Sequence, residues 1–328
     1  MAHTSAPKAS SRPAVYAALA GNLLVAATKT VAAAWTGSSA MASEAVHSFV
    51  DSGNELLLLY GMHRAARRPD REHPAGHGRE LYFWSFIVAL LVFALGAGVS
   101  LYEGVVHIRH PEPITDPRVS YIVLGLAALF EGGSWLVSLR QFNAVRGSRG
   151  FYEAFRRSKD PPSFLVLFED SAALIGIAIA AGGTFAAVRL QQPVYDGVAS
   201  ILIGLLLAGV AMLLAHESKS LLIGERADRR LADSVLRIAA GVNAVAQANG
   251  VLTFQLGPDQ IVVALSLEFK DDLRTPEIEA AVVEVERRVR EAHPEVRTVF
   301  VKPQTPGTYR EIVRRRYGEG ESAGGDES

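Results

Sequence analysis

His47 and Asp51 stand four residues apart in the stretch EAVHSFVDSGNE, residues 44–55. On a helix this spacing sets an imidazole and a carboxylate one turn apart on one face, where both can grip the same ion. That pair suits a borderline divalent metal such as zinc better than calcium or magnesium. At about 100° per residue, Glu44, His47, Ser48, Asp51, Asn54 and Glu55 share roughly a third of the helix circumference. Val46, Phe49, Val50, Leu56 and Leu57 take the remainder. A second stretch, FLVLFEDSAALIG, carries adjacent carboxylates at Glu169 and Asp170. Neighbours on a helix point about 100° apart, so one can face a bundle centre while the other turns to a different helix. Asp170 is the first choice as a ligand and Glu169 the second. Glu131, in ALFEGGSW, is a further carboxylate, either a supporting ligand or a proton carrier. A single polar residue in an apolar helix reads as interhelical glue, whereas a whole stripe with ligand spacing reads as a pathway.

Another constellation lies in DREHPAGHGRE, where Asp70, His73 and His77 have the spacing D-x-x-H-x-x-x-H. Two imidazoles and a carboxylate within eight residues of a Gly- and Pro-containing loop make a zinc clip; the alternative is a solvated basic loop with incidental histidines. The other polar residues have plainer readings. His63, His107, His110 and His216 fall at the ends of apolar blocks, and Glu103 reads as interfacial. Asn22 and Lys29 read as structural, the lysine pairing with one of the carboxylates.

The elements that must position these groups follow from composition. The chain has 328 residues, 49% hydrophobic and 20% charged, with a mean hydropathy of +0.18. Its apolar residues segregate into six blocks, near 14–35, 40–62, 81–106, 119–137, 164–188 and 194–214. Each is close to the ~20 residues a helix needs to cross a hydrocarbon core. A stripe like that of residues 44–55 cannot face lipid, because each central charge costs about 2.5 to 3.5 kcal/mol even on lenient insertion scales. The first block is too long and too interrupted for a cleavable signal. Arg64, Arg67, Arg68, Arg71 and Arg79 follow block two, and Arg140, Arg146, Arg149, Arg156, Arg157 and Lys159 surround the connection from block four to five. The positive-inside rule makes these loops, and with them both termini, cytoplasmic. Cysteine is absent, which leaves only N and O ligands, and a formal net charge of −1 argues against a nucleic-acid partner.

Beyond Leu214 the apolar runs shorten. Helix 228–240, strand 250–256, strand 261–269, a helix capped by Thr275 with Pro276 in its first turn, and strand 296–301 give the order αββαβ. This predicts a membrane α-helical protein with a small C-terminal cytoplasmic α+β domain of ferredoxin-like type. The expected divisions are a cytoplasmic tail at 1–12, a transport domain at 13–217, the αββαβ domain at 225–303 and a disordered tail at 304–328, which ends GEGESAGGDES.

Taken in order, EAVHSFVDSGNELLLLYG, DREHPAGHGRELYFWSF, EDSAALIG and LLIGERAD resemble the cation diffusion facilitator family, and FWSF with EDSAALIG resembles its branch related to the animal mitochondrial zinc transporter. The resemblance covers about residues 14–303. It implies a six-span, homodimeric, proton-coupled exporter of zinc or a related divalent ion, with no prosthetic group and no enzymatic activity. His47 and Asp51 are then the second-span half of the transport site and Asp170 the fifth-span half, while Asp70, His73 and His77 hold a peripheral ion. The zinc-selective pattern repeats H-x-x-x-D on the fifth span, but Val166 stands four residues before Asp170. A site of His47, Asp51, Asp170 and either Asn54 or Glu169 is richer in oxygen, which shifts preference toward manganese or iron(II). The tail domain holds His293 and no cysteine, so it reads as a dimerisation domain rather than a histidine-rich sensor. The rival readings are a metal-binding membrane scaffold or sensor without transport, and an intramembrane metalloenzyme. The lack of an organellar presequence, with an Ala-, Arg- and Gly-rich composition, points to a bacterial inner membrane.

Overall fold

A computed structural model describes residues 12–114, 116–146, 150 and 161–317. The basic residues Arg149, Arg156, Arg157 and Lys159, most of the N-terminal tail and the stretch 318–328 lie outside the described residues. The chain divides into two units, the first running to Arg64 and resuming from Glu80 to Lys219, the second made of Ala65–Arg79 and everything from Ser220.

The first unit is helical: α1 (Arg12–Thr36), α2 (Ser39–Ala65), α3 (Arg79–Leu91), α4 (Gly98–Arg109), α5 (Pro117–Arg146), α6 (Pro161–Leu190) and α7 (Val194–Ile223). A π-helical turn, Val92–Ala97, joins α3 to α4 without a break. There the N–H of Gly98 reaches the carbonyl of Phe93, and the glycines at 96 and 98 let the backbone widen. Among the described residues, four helices are long and apolar enough to cross a membrane: Arg79–Arg109, Pro117–Arg140, Phe164–Leu190 and Val194–Ile223. Helix α2 is long enough, but it carries Glu44, Asp51 and Glu55.

The packing inside this unit is dominated by small residues. Ala32, Ala40, Ala97, Ala127, Ala172, Ala180 and Ala199 join Met41, Leu124, Ile203 and Leu207 in one buried cluster, while Leu129, Phe130, Phe185 and Met212 point outward. Without a hydrophobic drive between helices in lipid, close backbone approach supplies the attraction. At α4 and α7 this is extreme. A Cβ on Gly104 would lie 2.8 Å from the carbonyl oxygen of Gly197, and one on Gly197 would lie 2.9 Å from that of Gly104. Gly197→Val is therefore expected to cost about 1 to 3 kcal/mol through overpacking, read as a lower melting temperature of the detergent-solubilised protein.

The second unit contains α8 (Arg229–Ala240), β1 (Val245–Gly257), β2 (Gln260–Phe269), α9 (Thr275–Ala292), β3 (Val296–Pro303) and α10 (Pro306–Tyr317). The sheet order is β1-β2-β3. β1 and β2 form an antiparallel hairpin, with Val251 opposite Leu265. β3 lies parallel to β2, Val299 opposite Val263, so α9 is the crossover. The alternation Ile261, Val263, Leu265, Leu267, Phe269 is buried against Leu231, Val235 and Ala239 of α8 and Ala281, Val285 and Val289 of α9. Asp228 caps α8, accepting from the N–H of Arg230 at 2.7 Å. Thr275 does not cap α9: the cap is Arg274, whose N–H donates to the Glu277 carboxylate at 2.7 Å. β1 begins five residues before the expected strand, because VAQAN pairs with β2 despite its weak strand propensity. Residues 306–317, read from composition as disordered, form a helix. Thr305 accepts at its start from Thr308 N–H, and Arg315 pairs with Glu311 one turn back.

Candidate metal centre

The stripe on α2 is buried. Glu44 and Asn54 are 0% exposed and His47 1%. The His47 Nδ1 lies 3.4 Å from Asp51 Oδ1, the one-turn geometry expected of the spacing. Around the stripe the polar groups divide into three sets. Lys29 of α1 donates to Glu44 Oε2 at 3.1 Å and to Ser48 Oγ at 2.8 Å. Asn22 donates to Glu55 Oε1 at 2.8 Å. Asn54 donates to Glu169 Oε1 of α6, also at 2.8 Å.

The two α6 carboxylates part company as their angular separation requires. Glu169 turns to α2, whereas Asp170 Oδ2 accepts from Ser134 at 3.0 Å and Ser138 at 3.2 Å on α5. Both nevertheless face one small cavity, lined by Asn22, Ser48, Asp51, Glu55, Glu131, Val166, Glu169 and Asp170. Val166, where an imidazole is wanting, thus stands on the wall among the carboxylates. His47 reaches that group through Asp51. The cavity recruits three polar residues beyond those expected in the site, Asn22, Ser48 and Glu55. Glu55 lies on the helical face of His47 and Asp51, which was the signal for it. The serines that hold Asp170 were marked only by their own one-turn spacing on α5.

Several atoms of this cluster have no partner. Both ring nitrogens of His47, Asp51 Oδ1 and Asn54 Oδ1 are buried without a hydrogen bond. Buried polar atoms are nearly always satisfied, and a concentration of orphans marks a place where something else binds. The donor set of one imidazole, an amide oxygen and several carboxylates would suit a divalent cation. Its ligands are not drawn together: among the described residues, the only three His, Asp or Glu side chains whose ligand atoms all lie within 4.8 Å are Asp70, His73 and His77.

That trio belongs to the second unit. Asp70 Oδ1 accepts from the backbone N–H of His73 at 2.6 Å and of Glu72 at 3.0 Å, and the first of these above all holds its carboxyl below the usual range. The Nδ1 of His73 is 3.4 Å and the Nε2 of His77 3.5 Å from Asp70. His77 Nδ1 is buried and unpaired. Gly78 seats this loop on the β1–β2 turn, since a Cβ there would meet the Leu256 carbonyl at 2.6 Å. His73→Ala with His77→Ala is expected to remove one bound zinc ion per chain, measured by metal analysis after gel filtration.

Residues 15–223 match the family model described as the cation efflux transmembrane domain. The chain belongs to the cation efflux family. The match covers well over half of the chain and all of the buried cluster. A frog (Xenopus laevis) relative, the mitochondrial proton-coupled zinc antiporter SLC30A9, is 35% identical over 60% of this chain and 35% of its own length. Metal tolerance protein C4 of Arabidopsis thaliana is 32% identical over 73% of this chain and 53% of its own. The cation-efflux pump FieF of Escherichia coli is 26% identical over 85% and 87%. The chain thus spans between about a third and a half of the first two relatives. Members of the cation efflux family are membrane transporters and not enzymes, which disposes of the metalloenzyme reading.

Proposed function

We propose that this member of the cation efflux family exports a divalent cation from the cytoplasm in exchange for protons. Zinc is the first substrate, with manganese or iron(II) as alternatives. One observation carries the reading: Asp51, whose Oδ1 is buried without a hydrogen bond, lines one cavity with Glu131, Glu169 and Asp170, and the unbonded His47 ring and Asn54 Oδ1 belong to residues that contact Asp51 and Glu169. The relatives, a proton-coupled zinc antiporter and a cation-efflux pump among them, support it. The transport site consists of His47, Asp51 and Asp170, with Asn54 and Glu169 as the further ligands and Glu131 as proton carrier or support.

In this reading α1 to α7, with α3 and α4 as one run, make six spans over residues 13–217, with both termini in the cytoplasm. The domain at 225–303, of ferredoxin-like type, and the membrane helices together form a homodimer in a bacterial inner membrane. A cation entering from the cytoplasm displaces protons, because its ligands must be deprotonated. Movement of the helix pair α2 and α6 opens the site outward, where protonation of the same groups releases the ion. Asp70, His73 and His77 hold a second, peripheral ion. That closed trio is also the feature that favours the second reading, a metal sensor without transport.

The test is uptake by proteoliposomes under an imposed pH gradient, with zinc, manganese and iron(II) offered separately and in competition. Movement of none of the three, by protein that is monodisperse before reconstitution, ends the exporter reading and leaves the sensor. Selectivity has its own probe in Val166→His, which adds the missing imidazole to the cavity wall. The zinc over manganese ratio is expected to rise by about tenfold or more, and an unchanged ratio would mean that Val166 does not face the transported ion.

A further inference from the structure

A second cavity of the membrane unit, of about 530 Å³, lies where α1, α2 and α4 meet. It touches α2 on the side opposite the metal stripe, at Ala42, Ala45, Val46 and Phe49. Most of its wall is small and apolar, but one part is not. Glu103, His107, His110 and Glu112 all line it. The first three read E-x-x-x-H-x-x-H: Glu103 and His107 share one face of α4 within about 40°, His110 caps the C-terminus of that helix, and Glu112 follows two residues past His110. A groove that holds only hydrocarbon has no use for two carboxylates and two imidazoles. His107 supplies the independent observation. It is 8% exposed, and its Nε2 is buried without a hydrogen-bond partner. Ser38 and Ser39, on the same wall, are already committed to the carboxylate of Asp196.

We infer that Glu103, His107, His110 and Glu112 form a further divalent-cation site, separate from the cluster around Asp51. Two nitrogen and two oxygen donors select a borderline ion of the zinc class over calcium or magnesium. The four side chains are spread along the cavity and are not drawn together like the loop trio. The site exists independently of transport; its role, as a station for ions at the mouth formed by the α1–α2 and α4–α5 connections, rests on the exporter reading.

The experiment is a cobalt(II) titration of the full chain in detergent, carrying Asp51→Ala, His73→Ala and His77→Ala to silence the other two clusters. One cobalt ion per chain is expected to remain, with the visible absorption of imidazole ligation. Adding Glu103→Gln and His107→Gln is expected to weaken it by about tenfold or more. No bound cobalt in the background protein, or binding indifferent to both substitutions, overturns the site. Should the background fail to give monodisperse protein, Glu103→Gln with His107→Gln is made in the otherwise native chain. There a stoichiometry lower by one supports the site and an unchanged one overturns it. Flux measured in parallel keeps the two readings apart, because the ion at His107 persists or vanishes whether or not Asp51→Ala stops transport.

Discussion

Asp51→Ala is expected to reduce cation flux in proteoliposomes by about 100-fold or more, since removal even of a residue that merely orients a ligand costs 10- to 100-fold. Asp51 is the residue the cluster shares. It faces His47 at 3.4 Å on its own helix and lines the cavity opposite Glu169 and Asp170 of α6. Its Oδ1 makes no hydrogen bond and has the His47 ring at 3.4 Å as its ion-pair contact, so the substitution removes a ligand and one long contact, and the fold should survive. The variant should therefore elute as native protein and still bind zinc through Asp70, His73 and His77. Full flux in such a variant would remove Asp51 from the transport path.

Lys29→Met is expected to destabilise the protein by about 3 to 5 kcal/mol, the range for stripping one partner from a buried ion pair. Lys29 and Glu44 are both 0% exposed at 3.1 Å, and the same ammonium holds Ser48. With the lysine gone, the Glu44 carboxylate stays buried, and one of its oxygens already lacks a partner. The double variant Lys29→Met, Glu44→Gln removes both charges and should recover most of the loss. Thermal melting of the three proteins in one detergent decides it: if the double variant is no better than the single, the lysine acts through packing and not through its charge.

The α2 stripe was legible because helical period and polarity coincide, and burial of Glu44, His47 and Asn54 follows from it. The parting of Glu169 from Asp170 was legible as an angle, but which helix each would meet was not. Asn54 lies 115 positions from Glu169 and Ser134 36 from Asp170, and no local pattern encodes pairings of that range. Lys29 needed a carboxylate, yet its choice of Glu44 over Asp51 depends on how α1 lies on α2. The π-helical turn left no mark beyond two glycines, and α10 was hidden by a composition rich in Gly and Arg, although Thr305 and the Glu311–Arg315 pair suffice to start and support a helix. His107 and Glu103 carry no local mark of a shared cavity, because a polar side chain at the end of an apolar helix needs no partner to account for it.

The two α6 carboxylates bear on how a movement can be timed. Glu169 is tied to α2 through an amide and Asp170 to α5 through two hydroxyls. Adjacent links of one chain are thus fastened to different helices, like a latch with two catches. Helix α6 cannot travel with α2 and with α5 at once when those helices separate. Under the proposed exchange, an ion or a proton that takes over one carboxylate would free a single catch, so the order in which the catches open would set the order in which the helices part.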